Sequence, residues 1–140
     1  MENDSKIASA FWALRIGLGA TAFLAGADKF TNLLTDWEKY TAPDVNEKLP
    51  MSNKNFMRIV GIIEMLVGVG ILSPRTRLSS YAASAWLLSI AANLVLNDDY
   101  DIAVRDVNMA LGAFALGQLS AARQESLPKE ELTGAELEAA

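Results

Sequence analysis

Long apolar runs separated by short polar intervals organise this chain. Four runs stand out, with cores at about residues 7–27, 56–72, 78–96 and 102–122. Each has the length of a bilayer-spanning helix, which needs roughly 20 mostly apolar residues. The second is the shortest, yet from Ile59 to Val67 only Gly61 and Glu64 interrupt the large aliphatic side chains. It stops at Ser73-Pro74, because proline lacks the N–H a helix needs and disfavours helical backbone in the residue before it. A tight turn through Arg75 and Arg77 then leads into the third run, which carries no charge. The last two runs are joined by the acidic stretch Asn97-Asp98-Asp99-Tyr100-Asp101. Such short connections make consecutive helices antiparallel neighbours. A soluble bundle would need a polar stripe on each helix, and these runs are apolar nearly all round. The pattern predicts an all-α fold: a four-helix transmembrane bundle with antiparallel neighbours, spanning residues 1–124.

Two segments lie outside the runs. Residues 31–54 mix charges with Trp37, Tyr40, Pro43 and Pro50, and are expected to form a long first loop on the membrane surface, capping the bundle. Residues 125–140 are acidic with little to bury, and are expected to be a solvated helix or a docking tail. Ala25-Gly26-Ala27 resembles a leader-peptidase site, but Arg15 interrupts the apolar stretch before it, so the first run is read as a retained span.

Polar residues inside the runs are the candidate chemistry. Arg15 and Glu64 each lie eight residues into their runs, about 12 Å deep from opposite faces of a core about 30 Å thick. A pair between them is geometrically allowed. An unpaired charge at that depth costs at least about 2.5 to 3.5 kcal/mol, so pairing is favoured. In the alternative, Arg15 reaches back to the membrane surface and Glu64 is protonated or bonded to a hydroxyl. Arg105, Asp106 and Asn108 in the fourth run, Asn93 in the third, and Asp28 with Lys29 at the end of the first converge with Glu64 on one half of the bundle, beneath the first loop. Arg15, Lys29, Glu64, Asn93, Arg105, Asp106 and Asn108 are therefore the candidate ligand-binding or internal polar network. The competing reading is an interfacial network that only ties helix ends together. Stripes of small residues mark helix contacts: Gly61 and Gly68 flanking Glu64, Ala85 and Ser89 leading to Asn93, and Ala110, Ala113 and Gly117 following Asp106.

Cysteine and histidine are both absent. That excludes a disulfide, a thiolate nucleophile, a haem held by histidine and a His/Cys zinc site built from this chain alone, and no other metal site is expected. The net charge of -5 leaves no basic patch for nucleic acid. The 73–77 turn is basic whereas the 97–101 turn holds three aspartates and no Lys or Arg, which places the former turn and both termini in the cytoplasm.

Arg15, Gly26 and Lys29 in "RIGLGATAFLAGADKF", then Gly61, Glu64, Gly68 and Gly70 in "GIIEMLVGVGIL", then the "SPRTR" turn, resemble the DoxX family of small four-helix membrane proteins over about residues 10–120. The resemblance implies a prokaryotic inner membrane location and association with membrane redox systems, including a quinone-reducing thiosulfate oxidoreductase. It carries the family's arginine, lysine and glutamate onto Arg15, Lys29 and Glu64. The expected function is then an accessory or anchor subunit of a membrane redox or respiratory complex, with lipid and other subunits as partners, no cofactor bound covalently or by His/Cys, and a quinone or lipid as the candidate ligand. Without a complete catalytic set, activity of the chain alone is not expected. The alternatives are a quinone-linked oxidoreductase with Glu64 as proton donor beside Arg15 or Arg105, and a small transporter or membrane chaperone.

Overall fold

The computed structural model describes residues 2–126. Among them are only helices and their connections: α1 (Glu2–Asp28), a 3-10 helix (Trp37–Tyr40), α2 (Pro43–Lys48), α3 (Asn53–Leu72), α4 (Thr76–Leu96) and α5 (Tyr100–Ser126). Two corrections follow. There are five α-helices instead of four, because the first loop folds: Pro43 opens α2, with Asp44 in its first turn and Lys48 in its last, the charge order a helix dipole favours. Among the described residues only α1, α3 and α4 are long and apolar enough to cross a membrane. α5 has the length, but Arg105, Asp106, Asn108 and Gln118 lie within it. The tail expected beyond α5 lies outside the described residues.

Local chemistry ends the helices where the sequence changes character. Ser52 caps α3 by accepting from the Asn55 N–H, and at the other end the Ser73 hydroxyl donates back to Gly70 O. Asn32 and Asp98 take left-handed backbone just past α1 and α4, a conformation that Asn and Asp tolerate better than most residues.

α1 packs along α3 and α4 along α5, and contacts of α3 with α4 and of α1 with α5 close the bundle. The α1–α3 seam is set by glycine. A methyl on Gly26 would lie 2.5 Å from Gly61 O, one on Gly61 would lie 2.5 Å from Gly26 O, and one on Gly68 would lie 2.7 Å from Gly19 O. Main chain meets main chain at both points, in one antiparallel register.

Phe11, Ile71, Ala83, Ala113 and Leu116 form the core, toward the 73–77 end. On α4 the inward positions are Ser80, Ala83, Ala91 and Leu94, and Ser84 donates across to Ala110 O on α5. Ala85 and Ser89 point outward, so the expected small-residue stripe lies off the packed face of α4. On α5 the expected stripe is packed: Asp106, Ala110 and Ala113 are buried, and Gly117 lies beneath the Tyr81 ring. The outside is apolar. Leu24, Leu66, Leu78, Val104 and Leu111 are each more than half exposed. Helices of this length with apolar side chains facing out are consistent with membrane association.

The seam predicts opposite outcomes for two glycine-to-alanine changes. Gly61→Ala forces α1 and α3 apart and should destabilise the protein by about 1–3 kcal/mol. Gly17, with nothing within 4 Å of its added methyl, should become slightly more stable as alanine, by about 0.5–1 kcal/mol. Thermal unfolding of both variants in one detergent checks this, and equal effects would remove the close-contact account.

Candidate functional site

At the end of α1, Asp28 organises the chain that follows. Its carboxylate accepts from the Thr31 hydroxyl at 2.9 Å, the Leu33 N–H at 2.8 Å, the Leu34 N–H at 3.0 Å and Trp37 Nε1 at 2.8 Å. That turns the chain back over the bundle and lays the Trp37 ring 3.7 Å from Lys29 Nζ. Lys29 Nζ is also 2.6 Å from Glu64 Oε2, with the two side chains only 4% and 12% exposed. The ammonium is thus held by a carboxylate on one side and an aromatic face on another.

Asp106, buried on α5, is near enough to act electrostatically on Glu64. Arg105 chelates it through Nε at 2.9 Å and Nη2 at 2.8 Å. Three asparagines fasten the rest of the cap. Asn93 accepts from the Ala42 N–H at 3.1 Å and donates to Tyr40 O at 2.6 Å. Asn97 donates to Lys39 O, and Asn53 donates to Glu38 O while accepting from Thr41. Each binds main chain of the cap, and Asn53 also holds the Thr41 side chain.

Arg15 lies at the opposite end. Its Nε donates to Ile71 O at 3.1 Å, and its Nη2 to Leu72 O at 2.6 Å and Ser73 O at 2.9 Å. Those carbonyls are left without helical partners where α3 stops, and Thr76 Oγ1 donates to two of the same three. The guanidinium also lies 4.8 Å from the Trp12 ring centroid.

The structure therefore brings Lys29, Glu64 and Asp106 together, places Arg105 beside them, and uses Asn93 to hold the cap. It does not bring Arg15 to Glu64. The step of eight residues along α3 from Glu64 to Leu72, which Arg15 bonds, is about 12 Å along the axis, and Lys29 occupies the carboxylate. Asn108 faces outward and is exposed. Sequence reasoning passed over Asp28's four bonds and the roles of Trp37, Asn53, Asn97 and Thr76. The usable signal was a short polar side chain within one turn of a helix end, where main-chain groups lack partners. Among the described residues no group of three or more acidic side chains is placed to hold a metal.

No protein-family model, no curated protein sequence and no solved structure matches the chain. The resemblance to the DoxX family is accordingly corrected. No match sustains it, and an all-α domain of five helices with three candidate spans differs from that family's bundle of four spans.

The ion pair and the cap give separate predictions. Glu64→Leu strands a buried ammonium and should cost about 3–5 kcal/mol, most of which Lys29→Met in the same chain should restore. Thermal unfolding of the single and double variants measures this coupling, and strictly additive losses would show that the pair does not act as a unit. Asn93→Ala removes two bonds to the cap and should speed tryptic cleavage at Lys39 or Lys48 by about tenfold or more. Unchanged cleavage would mean that Asn93 does not restrain it.

Proposed function

We propose that this chain is an integral membrane protein whose role is architectural, a small accessory or anchor subunit that lies in lipid and seats against other membrane proteins. One observation carries the reading. The ionisable and amide side chains within the bundle bind the protein itself, while large apolar side chains face outward on every long helix. Glu64 holds Lys29, Asp28 and Asn93 hold the cap, and Arg15 closes α3. Groups so engaged are poor general acids or ligands, since each new contact must displace a bond that a low-dielectric interior makes costly to lose.

The alternatives do less well on geometry. An oxidoreductase with Glu64 as proton donor needs the arginine that polarises the carbonyl beside it and free: Arg15 lies at a different depth, bonded to the end of α3, and Arg105, though near, is held by Asp106. A transporter of the common inverted-repeat type needs discontinuous helices at mid-membrane, whereas α1, α3 and α4 are each one uninterrupted helix. The redox setting and the quinone rested on the family resemblance, and nothing in the geometry replaces that support, so the proposal is the accessory role itself. The Lys/Arg content of the 73–77 turn supports a cytoplasmic placement for that end.

The test is extraction followed by gentle solubilisation of the tagged chain from the membranes of the cell that makes it. The chain should resist alkaline carbonate and, in mild detergent, co-purify in fixed ratio with at least one other membrane protein. A chain released by carbonate ends the membrane reading, and one that resists carbonate but purifies alone ends the accessory reading.

A further inference from the structure

The basic turn between α3 and α4 borders a groove of about 350 Å3 lined by Pro74, Arg75, Arg77, Leu78, Tyr81 and Gln124. The internal network uses none of these side chains. We propose that this groove binds the phosphate of an anionic phospholipid headgroup, with Arg75 and Arg77 as the charged contacts and Tyr81 and Gln124 as neutral ones. The inference rests on the membrane reading given above.

Charge is the first argument. Arg75 and Arg77 are exposed and neither makes an ion pair among the described residues. At the same end Arg15 is committed to the carbonyls of α3, and Arg123 stacks over Phe11 at 4.4 Å. The two turn arginines are thus placed to receive an anion from outside the chain, and guanidinium suits phosphate through paired, parallel hydrogen bonds.

Shape and polarity choose the lipid as its source. Leu78, 71% exposed, follows directly on Arg77 and begins the apolar outer surface of α4. A ligand with its phosphate at Arg75 and Arg77 therefore has aliphatic wall for the chains attached to it, which a free phosphate could not use. Tyr81 is one turn further along α4, its ring fixed between Phe114, 5.9 Å away between centroids, and the space that Gly117 leaves open. An aromatic ring with a polar tip at the boundary between phosphate and chains is the usual furnishing of a membrane interface.

The test is native mass spectrometry of the full chain in mild detergent, titrated with dioleoyl-phosphatidylglycerol, with dioleoyl-phosphatidylcholine, and with phosphatidylglycerol in competition with inorganic phosphate. Phosphatidylglycerol should bind at one molecule per chain, well ahead of phosphatidylcholine, and an equal concentration of inorganic phosphate should not displace it. Arg75→Gln with Arg77→Gln should weaken that binding about thirtyfold, the combined worth of two basic residues at an anionic surface. Arg58→Gln, one arginine charge lost from an exposed position at the other end of α3, should leave it unchanged. Absence of phosphatidylglycerol binding, equal binding of the two lipids, displacement by inorganic phosphate, or a double variant that binds like the parent would each overturn the proposal. Carbonate extraction of parent and double variant separates the two readings. Both should stay in the membrane, so that a lost lipid contact is not mistaken for a lost membrane protein.

Discussion

Where α1 and α3 cross, two pairs of glycines let main chain touch main chain, and the register this fixes decides where the charges of both helices come to rest. With Gly26 against Gly61 and Gly19 against Gly68, Arg15 falls level with the last residue of α3 and Lys29 falls within reach of Glu64. Neither contact needs a separate cause. A slide of one helical turn, about 5.4 Å, would take the guanidinium off its carbonyls and the ammonium off its carboxylate together. The glycines therefore act as more than space: close approach makes the seam stiff, and the two polar contacts at its ends make any other register costly.

The two ends solve the same problem with different chemistry. A helix that stops in or near an apolar medium leaves carbonyls or N–H groups without partners, and lipid offers none. At the 73–77 end the answer is a cation: one guanidinium from α1 and one hydroxyl from Thr76 serve the last carbonyls of α3, and positive charge suits a helix C-terminus. At the other end the answer is a folded cap whose own main chain becomes the partner of Asn53, Asn93 and Asn97. The cap in turn supplies Trp37 to cover Lys29, so the buried ion pair and the surface segment stabilise each other. Loss of one exposes the other to water or to lipid.

How much of this the sequence disclosed depended on whether the signal was one-dimensional. Helix cores, the turn at Pro74 and the place of the first loop over one end of the bundle follow from runs, proline and charge, and these were legible. Arg15 falls opposite Glu64 in depth only if each helix begins with its apolar run. α1 begins at Glu2 and α3 at Asn53, and residues 2–14 of α1 run on past the end of α3 for about 20 Å. Phe11 is buried there because α5 extends as well, with Arg123 above its ring. No property of α1 alone reveals that overhang. The seam glycines do, but only when read as facing pairs in two helices. Likewise Ala85 and Ser89 share the small size of packed residues, and which side of α4 faces inward is decided by α5, through Ser84 and Ala110. Polar side chains near helix ends were seen as a cluster, while their true partners were main-chain atoms of the cap, whose path was set by Asp28.

α5 shows what such a bundle permits. Alone it is too polar for lipid, with Arg105 and Asp106 adjacent and Asn108 close behind. Within the bundle, Asp106 turns inward toward Glu64 and Lys29, where the ammonium offsets one of the two negative charges and Arg105 offsets the other. Arg105 can do so from a largely exposed position, since its side chain is long enough to keep polar atoms near the cap end while its stem lies along the helix. The inner half of α5 then presents Ala110, Ala113 and Gly117 to α4, and such small residues allow the close packing that holds helices together in lipid. α5 therefore depends on α1, α3 and α4 for its placement, whereas those three are long and apolar enough to cross a membrane.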